Sequence, residues 1–476
     1  MDEMNQAEVQ EELEEIIDFE AIHDKKIEEM SVLLSEKKLK QLQQLLEETD
    51  EFDVAEFITE LPEHQMAMVF RLLSKEHGAE VFAELDAPEQ EYIINAITDN
   101  ELGNILDELY LDDTVDMMEE LPANVVKRVM RIATPETRKL INQYLKYPEN
   151  SAGSIMTAEY IDLKKYMSVK ESFARIRRIG ADKETIYTCF VTSKDRKLEG
   201  IVTVKDLILA DQDAVIEDIM DGNVIFCTTT DDQEDVSGMF SDYDLLAIPV
   251  VDKENRLVGI VTVDDVMDVM EQEATEDIEI MAAMSPSDKP YSRTSVVEIW
   301  KNRFPWLLLL MLSATFTSMI ITSFEDALAV QAALTAFIPM LMGTGGNSGS
   351  QSSTAVIRSL SIGDTELKDV FRVIWKELRV AVLCGVTLAS INFIKLFLID
   401  RLILGNIGVT VPIALTVCVT IFFVIIFAKA VGCTLPLLAE KVGIDPAVMA
   451  APLISTLTDA ISLLIYFMIA KLFLSI

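Results

Sequence analysis

Residues 445–467, DPAVMAAPLISTLTDAISLLIYF, decide how this chain is read. They open the last long apolar stretch, and near their centre stands Asp459, the only acidic residue after Val448. A carboxylate at membrane depth costs about 2.5 kcal/mol or more and is normally tolerated only facing protein or water. At 100° per residue, Ser455, Thr456, Asp459, Ser462 and Tyr466 fall on one side of a helix, a polar seam carrying one negative charge. Hydroxyl groups alone would serve as interhelical glue. An acidic residue is a poor choice for that task, so Asp459 reads as functional.

Four further apolar segments precede this one, giving expected spans at 304–323, 327–345, 378–399, 409–436 and 448–475. Each can cross about 30 Å of hydrocarbon. Lys and Arg gather just before the first span, between the second and third, and at the connection of the last two. The positive-inside rule then places the N-terminal half in the cytosol and the C-terminus outside. Within 304–476 acidic and basic residues balance at ten each, so the whole net charge of -39 falls on residues 1–303. Such a field repels nucleic acid and gathers cations. Five cysteines without CxxC spacing and three histidines give no zinc-site pattern, and the acidic N-terminus lacks the apolar core of a signal peptide.

The acidic half has internal order. Residues 1–48 read as helical and partly disordered. Glu60-Leu61, Glu84-Leu85 and Glu108-Leu109 then recur at 24 residues, and Glu120-Leu121 follows at half that interval. Pro62, Pro88, Pro122 and Pro135 mark helix ends, so residues 49–147 are expected to form an all-α superhelical N domain. A second repeat fills 148–263. IYTCFVTSKDRKLEGIVTVKDLI and LLAIPVVDKENRLVGIVTVDDVM align as paired strands and helices. This resembles a tandem pair of CBS domains, an α/β Bateman module, and each half ends in G-x-x-T-x-x-D. By that resemblance Thr203 and Asp206, with Thr262 and Asp265, are ribose contacts for ATP or a related nucleotide; a hydroxyl and a carboxylate suit vicinal hydroxyls. Whether nucleotide binds stays open. Residues 264–303 continue as an acidic connecting helix, broken at 285–290, and an amphipathic linker with Arg293, Lys301 and Arg303. Carboxylates this dense repel at i,i+3 and i,i+4 unless a cation neutralises them.

The second span ends in IPMLMGTGGNSGSQSSTAVIRSLSIGD. Together with D-P-A, P-x-x-x-T-x-x-D and Y-F near the C-terminus, and with the domain order, this resembles the MgtE family of magnesium channels and transporters over essentially the whole chain. The resemblance implies an α-helical five-span membrane domain, a homodimer in the plasma membrane with its pore at the subunit interface, and Mg2+ held by Asp459 of both subunits. Ser455, Thr456, Gly346, Asn347 and Ser350 stand beside that ion. It implies as well a cytosolic Mg2+ sensor at Asp244, Asp265, Asp268, Glu273, Glu276 and Asp277, with Asp112, Asp113 and Asp116 in the helical domain. Ser350, Ala451 and Ser462 depart from residues common in the family and are expected along the pathway. The chemistry agrees: Mg2+ takes one or two carboxylates and keeps several waters. The glycines at 343, 345, 346 and 349 let backbone approach an ion or break the helix at the pore mouth. Three rival readings remain: a proton-coupled carrier, a transporter of another divalent cation, and a membrane-anchored nucleotide-sensing scaffold. No nucleophile, acid/base pair or phosphate loop suggests an enzyme.

Overall fold

The computed structural model describes residues 23–287, 291, 294–405, 408–449 and 451–474, and the chain divides into two compact units, Met1–Val269 and Met270–Ile476. The stretch up to residue 22, much of the 285–290 break, Arg293 and Ser475 lie outside the described residues.

In the first unit ten short helices come first among the described residues: α1 (23–35), α2 (Leu39–Glu47), α3 (Glu51–Thr59), α4 (Glu63–Phe70), α5 (Lys75–Ala83), α6 (Ala87–Ala96), α7 (Asp99–Glu108), α8 (Leu111–Glu120), α9 (Ala123–Ile132) and α10 (Pro135–Tyr144). Each is too short to be stable alone and forms by packing an apolar face. Alternate helices stack: α3 on α5 on α7 on α9, and α4 on α6 on α8 on α10. The 24-residue period is therefore two helices, and the 12-residue step is one. All four prolines begin helices, Pro62 and Pro122 as N-caps and Pro88 and Pro135 in first turns, where a missing N–H is harmless. Met30, Leu42 and Leu46 are buried in the same core as the later helices, so the helical core extends ahead of residue 49.

The second repeat forms two three-stranded sheets. In the first, β1 (Asp162–Leu163), helix α11 (Val169–Ile179), β2 (Thr188–Thr192), β3 (Leu198–Thr203), α12 (Val204–Leu209) and α13 (Ile216–Ile219) follow in order. The other repeats the pattern with β4 (Cys227–Thr228), α14 (Gln233–Tyr243), β5 (Ala247–Val251), β6 (Leu257–Thr262) and α15 (Val263–Met281). Each sheet pairs its first two strands in parallel and its last two antiparallel, with a bulge after Val191 in one and Val250 in the other. The two hairpin ends pair with each other, Leu198 N donating to Asn255 O at 3.1 Å and Leu257 N to Arg196 O at 2.9 Å.

The second unit holds the long helices α16 (Val296–Ser323), α17 (Glu325–Val330, short), α18 (Ile338–Ser361), α19 (Val370–Lys395), α20 (Val411–Val442) and α21 (Ala451–Leu474). Among the described residues, four stretches are long and apolar enough to cross a membrane: Val296–Ser323, Leu367–Ile403, Val411–Val442 and Pro446–Leu474. This is a multi-pass membrane domain. The second expected span is corrected. Residues 327–345 are not one helix; α17 and a 3-10 segment (Ala332–Phe337) precede α18, which begins at Ile338 and carries the whole glycine-serine motif. At 24 residues α18 is about 36 Å long, sufficient to span, but its polar composition separates it from the other four. Nor do the glycines break it. They admit neighbours instead: a Cβ on Gly432 of α20 would collide with Gly349 O, and one on Gly349 would lie 2.7 Å from Ile454 of α21.

One buried charge pair was not anticipated from sequence. Near the middle of α20, Lys429 is 6% exposed, 3.0 Å from Ser352 Oγ and 3.5 Å from Glu377 Oε2, and Ser352 donates to Glu377 at 2.5 Å. This ties α18, α19 and α20 together. Removing one partner of a buried pair costs about 3–5 kcal/mol, whereas removing both is often neutral. Lys429→Met is therefore expected to lower the midpoint of thermal unfolding in detergent sharply. Adding Glu377→Gln should restore most of the loss, and a double variant as unstable as the single one would refute the pairing.

Candidate ion pathway and carboxylate cluster

In the membrane unit, α18 and α21 lie side by side. Ser350 Oγ is 3.4 Å from Ser455 Oγ and 3.5 Å from Ala451 O, and Ser353 Oγ donates to Met449 O at 2.7 Å. A Cβ on Gly346 would touch Ser455 at 3.2 Å, so Gly346, Ser350 and Ser455 are brought together. Asp459 stands one turn beyond Ser455, half-buried, with no hydrogen bond or ion pair among the described residues. Asn347 and Thr354 are exposed and Ser350 is half-exposed; at spacings of three and four they make a polar stripe on α18 that the chain leaves uncovered.

The expected seam on α21 is split. Thr456 bonds back to Pro452 O within its own helix. Tyr466 is buried and donates to Leu334 O at 3.0 Å, and Ser462 is buried against Gly345. Both are packing residues, so placing Ser462 along the pathway is corrected: with the small Gly345 opposite, its hydroxyl fills space inside the unit. Ala451 contributes its carbonyl to Ser350.

In the first unit, the fold gathers carboxylates from distant parts of the chain. Asp112 and Asp113 open α8, Glu159 precedes β1, Glu184 precedes β2, and Asp265 lies in the first turn of α15. Asp112 is 9% exposed and its Oδ1 has no hydrogen-bond partner; the buried Glu184 Oε2 has none either. Burial, and then the charges of Asp113, Asp265, Glu184 and Glu159, push the Asp112 carboxyl well above the usual range. Burial with Asp265, Glu84 and Glu159 raises Asp113 to about 6. Glu184 is raised to about 8 by burial and then by Asp265, Asp264, Asp113 and Glu159. Asp265 reaches about 6, chiefly through burial, although Thr262 donates to it at 2.6 Å. Five carboxylates with few donors, Thr262 on Asp265 and Thr157 on Glu159, suit a hard cation with retained water.

Asp116 is exposed at the rim, yet burial of its carboxyl, and then Asp113, Glu119, Asp265 and Glu120, raise it to about 7. Asp244 is exposed at the left-handed end of α14, and Asp268 is exposed on α15. Further along α15, Glu273, Glu276 and Asp277 are half-buried. Ser361 Oγ donates to Asp277 at 3.5 Å, and burial with the nearby Asp445 raises its carboxyl. The expected sensor residues thus fall into separate groups. Glu159 and Glu184 were missed because only the return of each CBS strand brings them beside α8 and α15. The Thr-Asp pairs are helix caps here: Thr203 and Asp206 form a reciprocal capping box on α12, and Thr262 holds Asp265 at the start of α15.

Known proteins agree with this layout. The family model described as a divalent cation transporter, MgtE, matches residues 338–469; the MgtE intracellular N domain matches 49–150, and the CBS domain matches 152–213 and 216–272. The magnesium transporter MgtE of Thermus thermophilus is 38% identical over 86% of this chain and 89% of its own length. That of Bacillus subtilis is 32% identical over 83% and 85%. A crystal structure of the soluble part of a magnesium transporter superposes on 53% of this chain and 99% of its own, at 28% identity and a TM-score of 0.50. The chain belongs to the MgtE family of divalent cation transporters.

Proposed function

We propose that the protein is a magnesium channel or transporter working as a homodimer in the plasma membrane, with Asp459 of each copy at a shared ion site. One observation carries this: α18 leaves Asn347, Ser350 and Thr354 uncovered beside the unpartnered Asp459, inside an otherwise apolar helical unit. Lipid cannot satisfy such groups, and a second copy with water between them can. Two carboxylates match the charge of a dication, and Gly346, Ser455 and Thr456 add oxygens or room for its water.

The soluble carboxylates supply the regulation. Asp112, Asp113, Glu184 and Asp265 repel one another when no cation lies between them, and Mg2+ bound there favours the compact arrangement by mass action. We place Asp116, Asp244, Asp268, Glu273, Glu276 and Asp277 as further cation ligands, in groups of their own. Nucleotide fits the first Thr-Asp pair better than the second, because Asp206 is exposed whereas Asp265 is already drawn into the carboxylate group. ATP is then a modulator held by Thr203 and Asp206. The soluble half faces the cytosol and the C-terminus the outside.

Three measurements test this reading. In proteoliposomes under an inside-negative potential, Mg2+ flux should be lost in Asp459→Asn and should fall when Mg2+ is high on the soluble-domain side. Flux that persists in the variant removes Asp459 from its role, and flux that follows a pH gradient instead favours the proton-coupled carrier. The carboxylate group also has a pH signature. Carboxyls held above their unfolded values of about 4 favour the folded unit when protonated, so their contribution is full below about pH 4 and is lost as pH rises through about 6 to 8. Hydrogen exchange of α8 without Mg2+ should speed up more than the intrinsic rate over that interval, and Mg2+ should protect α8 more at pH 8 than at pH 5. Equal protection at both would refute cation binding there. Finally, Asp206→Asn should weaken ATP binding about tenfold, a loss of about 1.4 kcal/mol, in calorimetry on the full chain.

A further inference from the structure

The helical domain contains one group of ligands that neither the pathway nor the acidic cluster uses. Glu51 begins α3, and His77 and Glu80 lie on α5, which packs against it. One ligand atom from each residue falls within 4.8 Å of the other two. Ligands about 2.1 Å from a tetrahedral ion stand about 3.4 Å apart, so the side chains close in by roughly 1 Å to hold one. His77 is mostly buried, with 13% of its side chain exposed.

The imidazole is held from behind. Its Nε2 lies 3.0 Å from Leu46 O, a carbonyl at the end of α2 that can only accept, so Nε2 carries a hydrogen and donates it. In the neutral ring this leaves Nδ1 with a bare lone pair, pointing 3.4 Å from Glu80 Oε2 and into the group formed with Glu51. In the imidazolium Nδ1 donates to Glu80 instead, and a metal ion at this point takes the place of that proton. A backbone carbonyl fixing one ring nitrogen while the other points at carboxylates is the arrangement by which proteins orient a metal-binding histidine. At His23 both nitrogens face carboxylates, Asp53 at 2.8 Å and Glu56 at 2.9 Å, with no backbone carbonyl among the described residues to fix the ring.

We propose that Glu51, His77 and Glu80 bind a borderline transition-metal ion, of the Zn2+, Co2+ or Ni2+ class. One nitrogen and two carboxylate oxygens suit such an ion, whereas Mg2+ favours oxygen alone. Bound there, it would pin α3 to α5 independently of the carboxylates of α8 and α15, and the domain would answer to a second class of cation.

The test uses the full chain in detergent, stripped with a chelator and titrated with Co2+ under a large excess of Mg2+ that saturates all-oxygen sites. Wild type should take up one Mg2+-resistant Co2+ per chain, with visible absorption bands that indicate nitrogen ligation. Both His77→Gln and the exposed-site variant Glu80→Gln should lose that ion while retaining Mg2+ flux. The proposal falls if wild type binds no such Co2+, in which case a proton on Nδ1 fills the gap, or if His77→Gln retains it.

Discussion

The membrane unit depends on one crossing, where α18 meets α20 backbone against backbone. Gly349 and Gly432 meet there, and no side chain fits on either without forcing the helices apart. Close approach of small residues is how helices associate where lipid removes the hydrophobic drive. It also brings Ser352 within reach of Lys429, and the pair with Glu377 then fixes α19. With α18 set against α20, α21 seats its own buried face, Thr458, Ser462 and Tyr466, against them, which leaves Asp459 at the open edge. The position of Asp459 is thus a consequence of two glycines on other helices.

The first unit works under the opposite constraint. Its helices and sheets are secured by ordinary apolar burial, and that burial forces like charges together. Val115, Met118 and Leu111 in the core turn α8 so that Asp112 goes inward with them. The cost is a carboxylate without a hydrogen-bond partner. Apolar packing therefore stores an electrostatic conflict, and the proposed cation sensor draws on it.

Much of this was legible in the chain itself. The 24-residue Glu-Leu repeat gave stacked helix pairs, the duplicated G-x-x-T-x-x-D gave two matching sheets, and Asp459 stood out because acids are scarce at that depth. Position along the chain could not show depth within it. The second span was misplaced because hydropathy averages over α17 and the segment after it, and α18 itself is too polar to register. Ser462 and Tyr466 share a helical side with Asp459, yet close packing at Gly345 and Leu334 turns them inward. Lys429 and Glu377 balance each other invisibly in a charge count, and Glu159 and Glu184 acquire meaning only once the CBS strands return beside α8.

The first long helix of the membrane unit has no buried residue, and α21 is its principal neighbour, with Phe324 just beyond its end stacked on Phe467 at 4.5 Å. In order of synthesis these are the first and the last spans. At about 5–20 residues per second, roughly 6–25 seconds separate their emergence from the ribosome. During that interval α16 has only lipid or the insertion machinery to hold it. Its apolar run from Phe304 to Leu312 suits lipid, and its later hydroxyls bond back into their own helix, Ser313 to Leu310 O, Thr322 to Ser318 O and Ser323 to Met319 O, so it can wait without a partner.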